Sequence, residues 1–224
     1  MMTERTVAYE PLDVNALGVT VRVAFADTLA PEIVEQVRSA WSGALTAVDA
    51  SSAVATIELD EVPDVSRMME SLSTRVTLAA LEERRGSMLM FHAAGVAAPD
   101  GRVVAFVGPS GRGKTTLSRA LGAVFGYVSD ESVAVDSELT VYPYRKPLSV
   151  VRKGKPKEQI SPFGAGLKDL PDAPLRLAAL VLLDREPHFA EPVIEQLAFL
   201  DAVGELVPQM SFLPELSQPL QELC

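Results

Sequence analysis

Val103–Leu121 reads VVAFVGPSGRGKTTLSRAL. Its first five residues form an apolar run of strand length, and the residues from Thr116 onward suit a helix. Between them, Gly108, Gly113, Lys114 and Thr115 satisfy the spacing G-x-x-x-x-G-K-[ST]. Each residue type in that pattern has a physical task. Glycines let successive backbone N–H groups approach and point at phosphate oxygens. The helix that starts near Lys114 adds the positive end of its dipole at the same spot. Lys114 would neutralise the β- and γ-phosphates, and the Thr115 hydroxyl would complete part of a Mg²⁺ shell. Ser110, Gly111, Arg112 and Thr116 fill the remaining contact positions. The loop therefore predicts a nucleoside triphosphate with Mg²⁺. ATP is the expected nucleotide, and GTP is compatible with the same loop.

Working outward, Met88–Val96 (MLMFHAAGV) is a short apolar segment and Pro99-Asp100-Gly101 is a turn signal. Together with VVAFV they predict a β-hairpin whose second strand runs straight into the loop. Thr116–Phe125 predicts the following helix, with Leu117, Leu121 and Val124 on one face and Gly126 as its stop. Tyr127-Val128 begins a strand that leads to Ser129-Asp130-Glu131, and Val133–Asp136 and Thr140–Tyr142 continue as short strands. Leu177–Asp184 (LAALVLLD) reads as a buried strand, and Glu191–Val207 contains a helical pattern. Residues 1–86 read as a small α/β region. It has strands at Val19–Phe25 and Ala53–Leu59, a helix opened by Pro31, and a longer helix over Val65–Arg85 stopped by Gly86. The expected organisation is a small N-terminal region, 1–86, followed by a nucleotide-binding domain, 87–224.

Two acidic positions compete for the chemistry. Asp130-Glu131 stands 15 residues after Thr115 at the end of a strand. In a parallel sheet that strand often lies beside the loop strand, which brings its carboxyl end towards the γ-phosphate. Adjacent carboxylates there divide two tasks, one accepting a proton from an attacking hydroxyl and the other holding the metal. Asp184 follows LVLL, the apolar strand plus Asp that holds Mg²⁺ water in many ATPases, but such strand ends are common and it reads first as a strand-end or turn residue, which leaves Asp130 the better case.

Composition narrows the classes. Of 224 residues, 48% are hydrophobic and 22% charged, enough for a sizeable core. The net charge of −10 argues against general nucleic-acid binding, which needs a basic surface. No apolar run approaches the roughly 20 residues that span a bilayer, and MMTERTVAYE lacks a secretory pattern. The lone cysteine, Cys224, is expected to be inert, and a cytoplasmic location follows. One basic island interrupts the acidic chain: Arg145, Lys146, Arg152, Lys153, Lys155 and Lys157, with no acid among them until Glu158. It reads either as a solvated run or as an anion site. His188 carries no assigned role.

The stretch FHAAGVAAPDGRVVAFVGPSGRGKTTLSRAL, followed by GYVSDESVAV, resembles the kinase core of the HPr kinase/phosphorylase superfamily. More distantly it is similar to phosphoenolpyruvate carboxykinases. The resemblance spans roughly residues 88–185 and includes the Pro-rich basic segment VYPYRKPLSV. It implies an α/β fold with a P-loop core, a mixed sheet in which a hairpin leads into the phosphate loop. It also implies that Asp130 is the catalytic base, that Glu131 is the metal-associated acid, and that His92 lies near the transferred group. Glu131 stands where the family carries Asp, and the family's acid–Arg–Gly signature does not occur after residue 150. The expected activity is phosphotransfer to a hydroxyl of a peptide, protein or small molecule, with self-association into a homo-oligomer left open. The rival expectation is a nucleotide-binding ATPase or switch acting through a protein partner.

Overall fold

The computed structural model describes residues 8–47, 52–61, 63–150, 158–185, 191–219 and 221. The architecture is mixed α/β with several separate sheets. Its contacts divide into two units: Met1–Glu83 with Arg145–Gly166, and Arg84–Tyr144 with Leu167–Cys224.

The first unit opens with β1 (Leu12–Ala16) and β2 (Val19–Phe25), an antiparallel pair in which Ala16 faces Val19. β1 adds a strand to those expected. The two residues between them, Leu17 and Gly18, have φ of 53° and 77°, the left-handed pair of a hairpin turn whose twist matches the strands. Then come α1 (Pro31–Trp41), β3 (Ala53–Leu59) and α2 (Val65–Glu83). Pro31 sits at the first helical position, where its missing N–H has no intrahelical partner to lose. β3 lies parallel to β2, so α1 serves as the crossover of a βαβ unit. α2 turns Met69, Leu72, Val76 and Ala80 inward, a three-to-four-residue spacing that gives one buried stripe.

In the second unit, β4 (Leu89–Phe91) and β5 (Ala93–Ala97) belong to different sheets. β6 (Arg102–Val107) pairs antiparallel with β5, from Ala93 opposite Val107 to Ala97 opposite Val103. Gly101, at φ 87°, makes the turn between them. α3 (Lys114–Gly122), β7 (Gly126–Ser129), β8 (Val133–Val135) and β9 (Val141–Tyr142) follow. The chain then returns to the first unit for the hairpin of β10 (Leu148–Val150) and β11 (Glu158–Ile160). It re-enters the second unit with β12 (Arg176–Leu182), α4 (Phe199–Leu206) and β13 (Met210–Ser211).

Two four-stranded sheets result, ordered β12-β6-β5-β7 and β13-β4-β8-β9. One apolar cluster draws on both: Ala93, Val103, Ala105 and Val107 from the first, and Leu89, Phe91, Val133 and Val135 from the second. β5 is buried along its whole length and consists of small residues, AAGVA. A side chain on Gly95 would press to 3.2 Å on both Val128 and Val133, so the central strand stays thin to let its neighbours close.

Three expectations are corrected. The helix after the loop ends at Gly122, and Val124 is 61% exposed rather than part of a buried face. The face that is buried carries Lys114, Ser118 and Gly122, where the bare glycine lets Tyr127 approach to within 3.3 Å of where a Cβ would stand. Leu177–Asp184 is not a buried strand. β12 is the last strand of its sheet and has no fully buried residue. The helical pattern of Glu191–Val207 yields a helix only over Phe199–Leu206.

Candidate functional site

Sheet topology alone brings distant residues to one edge. β12 runs parallel to β6, while β5 runs antiparallel to both β6 and β7. The carboxyl ends of β12, β6 and β7 therefore lie at the same end of the sheet, together with the start of β5. Those four positions lead into Asp184, the glycine-rich loop, Asp130-Glu131 and His92 respectively. The strand after α3 does not lie beside the loop strand as expected, because β5 intervenes. At the usual strand spacing of about 4.8 Å, the acids start two strands, roughly 10 Å, from the loop strand.

The loop spans residues 108–113 between β6 and α3. Gly111 and Gly113 have φ of 85° and 96°, backbone that a side chain would strain, and no heavy atom stands within 4 Å of an added Cβ at either. Gly108 is needed for a different reason. A Cβ there would stand 3.2 Å from the Leu183 carbonyl oxygen. α3 begins at Lys114 behind the N-cap Gly113, with no side chain capping it, so its first-turn N–H groups are directed out of the helix at the loop.

Lys114 is buried at 6% exposure. Its ammonium donates to the Pro109 carbonyl at 3.0 Å and to that of Gly108. Burial lowers its pKa below the ordinary lysine value, and the negative charges of Asp130 and Glu131 oppose that shift. The two acids therefore act on the lysine of the loop across the intervening strand.

The acid turn is set by a residue that the sequence pattern did not single out. Ser129 is fully buried, and its hydroxyl accepts the N–H groups of Glu131 and Ser132, both at 3.2 Å. This serine-centred turn fixes the backbone that carries Asp130, itself 8% exposed, and the half-buried Glu131. A Ser directly before an acid pair at a strand end is compatible with such a turn but does not specify its hydrogen bonds.

His92 is not inside a strand. It forms the bend between β4 and β5, where the chain passes from one sheet to the other, and its N–H donates to the Gln209 carbonyl at 2.7 Å. Ala93 in turn donates to the Glu131 carbonyl at 3.1 Å, which ties this bend to the acid turn. Burial, then the Lys114 charge, lowers the imidazole pKa below 6.5, against opposing effects of the Glu131 carboxylate and backbone. The neutral ring is thus favoured.

Asp184 is engaged elsewhere. Its carboxylate accepts from the Arg112 guanidinium at 2.8 Å, with the two side chains 68% and 44% exposed. Ser110 and Arg112 are exposed, as is Thr116, while Thr115 is partly buried. Of the basic island, Arg145 and Lys146 belong to the first unit, and both are buried rather than solvated. The Arg145 guanidinium stacks 4.8 Å from the Phe163 ring centroid, and the Lys146 ammonium reaches the Pro147 carbonyl at 3.4 Å. Arg152, Lys153, Lys155, Lys157, His188 and Cys224 lie outside the described residues. No described helix is long and apolar enough to cross a membrane.

Compared with known proteins, the chain matches no family model and no curated protein.

Proposed function

We propose that this chain is a kinase with a P-loop, HPr-kinase-like core, transferring the γ-phosphoryl group of ATP to a hydroxyl of a peptide, protein or small molecule. One observation carries the reading: a buried lysine at an uncapped helix N-terminus feels two carboxylates delivered by another strand to the same sheet end. A glycine loop alone binds phosphate. Paired acids opposite it add a base, which hydroxyl transfer needs and simple binding does not.

The residues fit the group they would hold. First-turn N–H groups of α3 and the Lys114 ammonium are donors of the kind that phosphate oxygens take, and Lys114 would exchange its two loop carbonyls for them. Thr115 and Glu131 would hold Mg²⁺, which when bound neutralises charge on the β- and γ-phosphates. Among the described residues no group of three or more His, Cys, Asp or Glu could hold a metal. A site completed by phosphate oxygens and water needs fewer protein ligands. Asp130 accepts the proton of the attacking hydroxyl, and the Ser129 turn keeps its carboxylate directed from a fixed backbone. Neutral His92 donates a hydrogen bond beside the transferred group without adding to the cationic charge of Lys114.

Transfer of γ-labelled phosphate from ATP to peptide and small-molecule fractions tests this, with Asp130→Asn beside wild type. Loss of a general base lowers the rate by about 10²–10⁴-fold, and nucleotide binding should persist in that variant. Transfer at the wild-type rate by Asp130→Asn would remove Asp130 from the mechanism. Hydrolysis by wild type without transfer to any fraction would favour the ATPase alternative.

A further inference from the structure

Asp184 lies two residues past the end of β12, the strand beside the loop strand, where a metal-holding acid would be sought. Its contacts point to another task. The Leu183 N–H donates to the Val107 carbonyl at 2.8 Å, which carries the pairing of β12 and β6 up to the start of the loop. Immediately beyond, the Leu183 carbonyl lies so close to Gly108 that a Cβ there would stand 3.2 Å away. The Arg112 guanidinium then leaves the loop and reaches the Asp184 carboxylate at 2.8 Å and the Arg185 carbonyl at 3.5 Å. The segment 183–185 thus touches the loop at its first residue and at its fifth.

From these contacts we infer that Leu183-Asp184-Arg185 is the outer wall of the glycine-rich loop, and that Asp184 is a positioning residue acting through Arg112. This role rests on the reading that the loop holds a triphosphate. Gly111 and Gly113 flank Arg112, and a Cβ added at either would meet nothing within 4 Å, so no neighbouring side chain packs on the loop at those two positions. An arginine tethered from outside sets the direction of the backbone between those two glycines. Its own charge is held by Asp184 on the outer side, and the inward face is left to backbone N–H groups and Lys114. Asp184 is accordingly assigned to loop geometry, and the metal to other groups.

The test uses the full chain, a fluorescent ATP analogue with Mg²⁺, and the variants Asp184→Asn, Arg112→Gln, their double variant, and the reversal Arg112→Asp with Asp184→Arg. For an exposed ion pair, either single change should weaken binding by about twofold to fivefold. The Asn/Gln double variant should be no weaker than the worse single one, and the reversal should recover part of the loss. The Mg²⁺ concentration for half-saturation should not move, and amide exchange at residues 110–113 should quicken in Asp184→Asn even without nucleotide. An Mg²⁺ requirement raised tenfold by Asp184→Asn but not by Arg112→Gln would overturn the inference in favour of a metal ligand. Unchanged affinity and exchange in Asp184→Asn would overturn it while leaving the phosphate-site reading intact. Wild type that binds no triphosphate removes that reading and this inference together.

Discussion

His92 and Lys114 are both held below their ordinary pKa values, in each case chiefly because burial disfavours the charged form. For His92 this has a consequence for stability. The unfolded chain protonates its imidazole near 6.5, and the folded one does so only at lower pH. As pH falls through 6.5 the unfolded state takes up the proton first, so stability is lost from that point down to the folded-state value. Urea unfolding at pH 8 and pH 5 should show wild type losing more stability on acidification than His92→Gln. Equal losses would mean that the ring is as free to ionise in the fold as outside it. His92 also marks where local pattern ran out. Its apolar neighbours, MLMF and AAGV, read as one strand, because nothing in their hydrophobicity signals that the chain changes sheets at residue 92. The placement of Asp130 at a strand end and of the loop glycines between a strand and a helix was legible, because both follow from short-range pattern. Ser129 and the Arg112–Asp184 pair were not, since a serine's hydrogen bonds and a contact 72 residues apart exist only after folding.

At the scale of elements, the hairpin into the loop is the part that sequence specified best. The apolar run of Val103–Val107 and the Pro99-Asp100-Gly101 signal predicted the second strand and the turn, while the segment expected as the first strand divides at His92 into β4 and β5. Gly101 is indispensable to the turn for two separable reasons. Its φ of 87° disfavours any side chain, and an added Cβ would lie 2.2 Å from the Pro174 carbonyl oxygen. Gly111, at φ 85° with no neighbour within 4 Å, has only the first of these. Gly111→Ala should therefore cost about 1–2 kcal/mol, the strain of left-handed backbone. Gly101→Ala should cost more, about 3 kcal/mol or above, because backbone must also shift. Urea midpoints read both, and similar losses would contradict the crowding at Pro174. Where sequence failed on elements, period was ambiguous. LAALVLL is apolar enough for a buried strand, yet as β12 it closes one side of its sheet and stays partly exposed. Leu117, Leu121 and Val124 fit a helical face, yet packing selected the smaller Ser118 and Gly122, because a thin helix face is what fits over Tyr127 and Leu167.

At the scale of the molecule, the division of contacts differs from any single boundary along the chain. Residues 145–166 group with the N-terminal unit, so the second unit is interrupted by a segment that belongs to the first. Pro143 and Pro147 stand near one end of the segment and Pro162, Gly164 and Gly166 near the other, but nothing in the composition says which unit the chain between them joins. The ends of the interruption are nonetheless close. Tyr144 donates to the Val128 carbonyl at 3.1 Å, and the Lys168 carbonyl accepts from Tyr127 at 3.2 Å, so the chain leaves and rejoins the second unit at adjacent residues of β7. A linker of about four residues, at roughly 3.3 Å each, spans such a gap. Within the first unit, β10 and β11 pair with each other and β11 packs on α1 and α2, with Leu148 fully buried. A chain of residues 84–224 keeps that hairpin, with its buried Leu148, but removes its supports. The same chain with 145–166 replaced by Gly-Ser-Gly-Ser removes the hairpin too. The replaced chain should therefore be the more soluble and monodisperse of the two by size-exclusion chromatography. It should also unfold cooperatively, since the apolar cluster shared by its two sheets lies wholly within it. Aggregation of the replaced chain alongside a well-behaved 84–224 would show that 145–166 stabilises the second unit and is not an inserted part of the first.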